Sequence, residues 1–150
     1  MSVTLLAKQT ITKQFVSEFK KKHPNLQLIL ENVSYNAQGK EYVLFVVNST
    51  ATQRIDLGSS SKAKRHGGTV FCTINIPKAA GAFQTSDRGY EIADYITEIL
   101  EEQVFTDSDS RLKIMFQDAD YGKLGFVDEY FVITVSIPYR IEYFQCNDVQ

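Results

Sequence analysis

A long β-type stretch near the C-terminus constrains the fold more than any other feature. Residues 126–143 are rich in Val, Ile, Phe and Tyr, which favour extended strands. Residues 111–118 form a second candidate strand, and residues 120–125 between them contain two glycines. Glycines between two apolar segments are typical of turns, so this region predicts a β-hairpin.

An amphipathic stretch at the N-terminus predicts a helix over about residues 4–22. Ile11, Phe15 and Phe19 recur every four residues and form one apolar stripe. Three consecutive lysines, residues 20–22, occupy the last turn, where cations interact favourably with the helix dipole. Pro24 ends the helix because the residue before a proline is pushed out of helical geometry.

A second helix is predicted after a connection of small residues, 79–85. Ser86 is a suitable N-cap. The apolar face is wide and consists of Ile92, Ala93, Ile96, Ile99, Leu100 and Val104. Glu101 and Glu102 occupy the last turn, at the negative end of the helix dipole, where each acid is unfavourable by roughly a few tenths of a kcal/mol. Stability alone does not explain these two acids.

Three further strands are predicted between the helices, at residues 26–31, 42–48 and 69–77. The second of them fits an extension through Ile55, and a polar loop over residues 58–68 follows. The order helix, three strands, helix, two strands predicts an α+β fold. We expect a single domain over residues 1–150, with a mostly antiparallel sheet of about five strands packed against two helices.

Composition excludes several classes of protein. A net charge of −2 argues against general nucleic-acid binding. No apolar run reaches about 18 residues, so no transmembrane helix and no membrane contact are expected. The N-terminal apolar stretch is short and has no basic leader, so a signal peptide is not expected. Cys72 and Cys146 are far apart and are expected to be reduced thiols.

The sequence contains no recognisable catalytic set. His23 and His66 have no Cys or His at ligand spacing, so a zinc site is not expected. Residues 118–122 and 107–109 resemble the start of a calcium loop but lack its glycine and glutamate positions, and turns are expected there instead. We therefore expect no catalytic, cofactor-binding or metal-binding residues and no enzymatic activity.

Charged residues are separated into two blocks of opposite sign. The basic block, residues 54–68, has one acid, and the acidic block, residues 87–109, has one base. Separated charges suggest that one copy of the chain meets the opposite surface of another copy. The alternative is that both blocks are simply solvated. The candidate contacts with another subunit, or with DNA in a channel, are Arg54, Lys62, Lys64, Arg65, Glu98, Glu101 and Glu102.

The order of segments resembles the small tail terminator proteins of long-tailed bacteriophages. The first matching stretch is the strand that ends in Leu30-Glu31-Asn32. The second runs from Gly67-Gly68-Thr69-Val70 to Ile76-Pro77 and continues through Gly81 to Ala93-Asp94-Tyr95-Ile96. The third is the final hairpin with Ile137-Pro138-Tyr139-Arg140. Together they extend over nearly the whole chain, and their order carries the resemblance.

This resemblance implies a structural role in the virion, after assembly in the host cytoplasm. Such proteins form a ring, usually of six subunits, on the completed tail tube. The ring stops polymerisation of the major tail tube protein and provides the joining surface for the head connector. It implies no enzymatic residues, and DNA passing through the lumen requires only weak, non-specific contact.

Two alternatives remain open at this point. One is another component of the same structures, either a neck and head-completion protein or a tail tube protein. The other belongs to a different class, a small α+β ligand-binding domain or enzyme with a pocket between sheet and helices. The scarcity of histidine and the absence of tryptophan disfavour the second alternative.

Overall fold

The computed structural model describes residues 3–24, 26–31, 40–49, 53–54, 64–78, 82–107, 112–127 and 129–143. In these ranges two helices and eight strands follow one another along the chain. The helices are α1 (Val3–Lys22) and α2 (Ala82–Leu100). The strands are β1 (Gln27–Leu30), β2 (Tyr42–Ser49), β3 (Gln53–Arg54), β4 (Lys64–Pro77), β5 (Val104–Thr106), β6 (Leu112–Phe116), β7 (Asp120–Val127) and β8 (Tyr130–Tyr143).

Two long antiparallel strands, β4 and β8, form the centre of the sheet. They pair from His66 opposite Ile141 to Pro77 opposite Tyr130. The outer edge of β4 pairs with β2 and, nearer its start, with the short β3. The outer edge of β8 pairs with β7 along its first half and with β6 along its second half, and β5 follows β6. The α+β prediction with two helices is confirmed.

The sheet differs from the predicted one in two respects. β1 runs parallel to β2, so the sheet is mixed, although its other pairings are antiparallel. It also contains more strands than the five predicted: β5 and β7 were not foreseen, and β3, at the end of the predicted extension through Ile55, is a strand of its own that pairs with β4. Strands of two or three residues carry too few positions for an alternating pattern to be recognised in the sequence.

The hydrophobic core lies between one face of the sheet and the two helices. The stripe predicted on α1 is confirmed, since Ile11, Phe15 and Phe19 are fully buried. Phe15 stacks on Phe45 of β2 with ring centroids 4.4 Å apart. Alternate residues of β8, from Phe131 to Ile141, are buried on the same face. Burying a side chain of this size contributes about 1.5–3 kcal/mol.

The predicted boundaries of the second helix are wrong at both ends. α2 begins at Ala82, inside the predicted connection and before the proposed N-cap. It ends at Leu100, so Val104 is not part of the helical face: it lies in β5 and is half exposed. Thr85, in the first turn of α2, is fully buried.

The predicted turn at residues 120–125 is also wrong, because Asp120–Val127 is strand β7. Both glycines there lie in the strand, and Gly125 (φ 77°) accommodates a β-bulge between Lys123 and Gly125. The strands that pair as neighbours in the chain are instead β7 and β8, with Val127 opposite Tyr130. The predicted loop over residues 58–68 is wrong from Lys64 onward, where β4 begins, and residues 58–63 lie outside the described residues.

Candidate subunit-contact surfaces

The basic block falls on the short β3–β4 pairing. Arg54 lies opposite Lys64, and Gln53 lies opposite Arg65. Lys62 lies outside the described residues. Backbone pairing therefore brings three of the four predicted basic contacts to the start of β4, and Lys64 and Arg65, predicted in a loop, lie in a strand.

The acidic block forms a stripe on the exposed side of α2. Asp87, Glu91, Asp94 and Glu98 follow one another at steps of four, three and four residues, and all four are exposed. This spacing places them on one side of the helix, opposite the buried Ile92, Ala93, Ile96 and Leu100. We call these four residues the acidic stripe. Of the three acids predicted as contacts, only Glu98 belongs to it.

Glu101 has a role inside the subunit that explains its position against the helix dipole. The backbone N–H of Ala119 donates a hydrogen bond of 2.7 Å to Oε2 of Glu101. Ala119 lies between β6 and β7, so this bond holds their connection against the end of α2. A hydrogen bond to a charged acceptor contributes about 1.5–3 kcal/mol, more than the dipole penalty. A further role in subunit contact stays a prediction.

Glu102 adopts a left-handed backbone conformation, with φ of 59°. It is exposed and lies directly after the last turn of α2, where the N–H of Gln103 donates to the carbonyl of Leu100 at 3.0 Å. Glycine is the usual residue in this conformation because it has no Cβ to clash. The side chain therefore has both a steric and an electrostatic disadvantage in its own subunit.

Asp94 also contacts another element of the subunit. The hydroxyl of Tyr121 on β7 donates to Oδ1 of Asp94 at 2.9 Å, and it lies 2.7 Å from Oγ1 of Thr97. Burial, together with the hydrogen bond to Asp94, raises the pKa of Tyr121. These bonds attach β7 to the side of α2.

The exposed surface of α1 is basic, a feature the sequence analysis missed. The helix contains five lysines and one glutamate. Lys13 and Lys20 are exposed and lie seven residues apart, on the side opposite the buried Ile11 and Phe15. We call Lys13 and Lys20 the lysine face. The excess of lysine was visible in the sequence, but its position beside α2 depends on the tertiary structure.

The two helices meet at the C-terminal end of α1. The hydroxyl of Tyr95 donates to the backbone carbonyl of Glu18 at 2.8 Å. Lys22 lies 3.8 Å from Glu98, but both side chains are about two-thirds exposed, so this ion pair contributes little. His23 contacts the Tyr95 ring edge-on at 4.6 Å, and burial lowers its pKa, with the charge of Arg88 acting in the same direction.

Groups capable of chemistry are few in the described part of the chain. No group of three or more His, Cys, Asp or Glu side chains there could hold a metal ion. Cys72 is fully buried in β4, and burial raises the pKa of its thiol. An open groove of about 780 Å³ lies between α1, the end of α2 and β5, with Lys13, Glu18 and Tyr95 among its lining residues.

Asp107 caps a backbone group, as predicted, since its carboxylate accepts a hydrogen bond of 2.9 Å from the N–H of Leu112; residues 108 and 109 lie outside the described residues. The turn predicted at residues 118–122 is wrong from Asp120 onward, since Asp120 begins β7. Within the ranges described, no helix has the length and apolar character needed to cross a membrane.

Comparison with known proteins gives a fold but no family. No family model matches the chain, and no curated protein matches its sequence. Nineteen chains of solved structures match its fold. One of them, a protein whose designation states no function, superposes with a TM-score of 0.76 over 97% of this chain and 99% of its own length. The two sequences are 16% identical, so this similarity establishes a shared fold alone.

Proposed function

We propose that this protein is a structural virion protein that ends the tail of a long-tailed bacteriophage. A ring of six copies caps the completed tail tube, stops addition of the major tail tube protein and forms the joining surface for the head connector. The protein acts without a cofactor or a metal and is not an enzyme. It is assembled in the host cytoplasm and remains in the virion.

The observation that carries this proposal is the order of the matching stretches. Gly67-Gly68-Thr69-Val70 through Ile76-Pro77 belongs to β4, and Ile137-Pro138-Tyr139-Arg140 belongs to β8, its neighbour in the sheet. Ala93-Asp94-Tyr95-Ile96 belongs to α2, which packs on both strands. The described parts of the second and third stretches that resemble tail terminators thus form one packed unit of the fold.

Charge supports the same proposal. A closed ring requires head-to-tail contacts, in which one patch meets a different patch. Each subunit carries acidic and basic surfaces, and opposite charges suit such contacts and accelerate association. The basic block, with Arg54, Lys64 and Arg65, suits either a neighbouring subunit or weak contact with DNA in the lumen.

Electron microscopy of particles made without this protein tests the proposal. Loss of a terminator is expected to give tails longer than those of the wild type, because tube polymerisation is not stopped. Tails of normal length with unjoined heads would instead identify a neck or head-completion protein. Absence of any tube would identify a tube component. Particles with normal tails and joined heads would contradict all three assignments.

A ligand-binding function is the second candidate, and the groove beside α1 is the observation that favours it. Its lysines and glutamates, with Tyr95, mix charged and aromatic groups. Its open, polar character is less suited to a small ligand than an enclosed apolar pocket. A metabolite that raises the melting temperature of the protein, and loses this effect in a Tyr95→Ala variant, would favour this candidate.

A further inference from the structure

We propose that the acidic stripe of α2 on one subunit docks against the lysine face of α1 on the next. This inference rests on the proposed ring and specifies which surfaces form its contacts. The occupant of each helix surface is thus a second copy of this chain. The basic half of the contact comes from α1 rather than from the basic block.

The acidic stripe has a cost inside its own subunit. Like charges spaced at three and four residues on a helix repel one another by about 0.2–0.5 kcal/mol per pair. Two members have weak partners, since Glu91 lies 3.3 Å from Arg88 and Glu98 lies 3.8 Å from Lys22. Asp87 forms no ion pair with any described residue. Two of the four acids, Asp87 and Asp94, therefore have no ion pair among the described residues.

The lysine face is similarly uncompensated. Lys8 pairs with Glu31 and Lys21 pairs with Glu18, whereas Lys13 and Lys20 form no ion pair with a described residue. One face thus carries free positive charge and the other free negative charge in every copy of the chain. Because every copy of the chain carries both surfaces, a second copy supplies acids to the lysine face and lysines to the acidic stripe.

Each surface also carries an exposed apolar side chain that can exclude water from a contact. Leu5 is 45% exposed on α1, two turns before Lys13. Tyr90 is 37% exposed on α2, one turn before Asp94. Stable interfaces place such side chains at the centre and charges around them. Both helix surfaces therefore have the composition of a small interface.

The contact has unlike halves, so it joins subunits head to tail. Each subunit uses its acidic stripe for one neighbour and its lysine face for the other, and the series closes into a ring. Direct pairing of the helices within one subunit does not satisfy these charges. Among the described residues, the ion pair between the two helices joins Glu98 to Lys22, which lies outside the lysine face, and both side chains are exposed.

Charge reversal with restoration tests the proposal. One variant carries Lys13→Glu and Lys20→Glu, and a second carries Asp87→Lys and Glu91→Lys. Asp94 is unchanged because it bonds Tyr121, and Glu98 because it pairs with Lys22. At low salt, each variant alone is expected to associate at least about tenfold more weakly than the wild type. An equimolar mixture, and a chain with all four changes, are expected to restore the wild-type mass by analytical ultracentrifugation.

Circular dichroism confirms that each variant is folded, and restoration excludes a general loss of solubility. If both double variants assemble like the wild type, the inference is overturned while the ring remains. If the wild type forms no oligomer, free or on tail tubes, the proposed function itself fails. A third variant, with Lys62→Glu, Lys64→Glu and Arg65→Glu, tests the competing assignment, in which the basic block forms the contact. If it alone loses assembly, the basic block forms the contact and the role of α1 is refuted.

Discussion

Two neighbouring acids at the end of α2 differ in the contacts that they make within their own subunit. Glu101 accepts the N–H of Ala119 and so has an intramolecular reason to be acidic. Glu102 is exposed, has a positive φ and lies at the unfavourable end of the helix dipole. A residue that is unfavourable for its own fold is a candidate for a role outside it.

Replacement of Glu102 by glycine is expected to stabilise the subunit by about 0.5–1 kcal/mol, because the left-handed conformation costs glycine nothing. Urea unfolding followed by circular dichroism measures this difference. The matched control is Glu98→Gly, an exposed acid in regular helix, which is expected to lose about 1 kcal/mol. Equal losses in both variants would show that the backbone at Glu102 is not strained.

At the scale of elements, the sheet depends on close approach between three strands at Gly68. This residue lies in β4, opposite Ser49 of β2 on one side and Tyr139 of β8 on the other. A Cβ at Gly68 would overlap the carbonyl oxygen of Asn48 and lie 2.5 Å from the hydroxyl of Tyr139. Tyr139 is itself buried, and burial raises its pKa. The strands have no room to separate without exposing this side chain.

Replacement of Gly68 by alanine is therefore expected to destabilise the subunit by about 2 kcal/mol or more, since overlap with backbone forces the strands to shift. Gly125→Ala is the comparison: φ there is positive, but no atom lies within 4 Å of a Cβ, so a loss of about 1 kcal/mol is expected. Thermal unfolding of both variants shows which substitution lowers stability more. A larger loss of stability in Gly125→Ala than in Gly68→Ala would contradict the close approach of the strands at Gly68.

At the scale of the whole molecule, stability and assembly depend on different forces. The core is apolar, with long aromatic and branched side chains from both helices and the sheet. The exposed helix surfaces are charged, and in the proposed ring they form the contacts. Apolar side chains are also exposed along β7, where Leu124, Phe126 and Val127 are about half exposed or more. These side chains offer an alternative contact that does not depend on charge.

Raising the salt concentration from about 50 mM to about 0.5 M is expected to dissociate the oligomer, because screening shortens the range of the charges. The unfolding free energy of the subunit should change little, since burial of apolar surface dominates it. Sedimentation and urea unfolding at each salt concentration measure the two effects separately. An oligomer that persists at high salt would point to the apolar residues of β7 instead.

The strongly periodic parts of the chain were predictable from the sequence. Ile11, Phe15 and Phe19 repeat at the helical period and are all buried, and the stretch around residues 131–141 alternates with the period of a strand. The error at residues 120–125 has a clear cause. Two glycines that are typical of a turn instead lie in a bulged edge strand, where pairing with β8 outweighs local preference.

Some features of the candidate contact surfaces were likewise predictable from the sequence, and others depend on the tertiary structure. The acids of α2 and the lysines of α1 are a property of the sequence, and so is the side of the helix on which each lies, because helical periodicity is local. The proximity of Lys22 to Glu98, the use of Glu101 by Ala119 and the β3–β4 pairing of the basic block belong to the tertiary structure alone. These contacts join residues far apart in the chain, and burial of the shared core decides which distant segments meet.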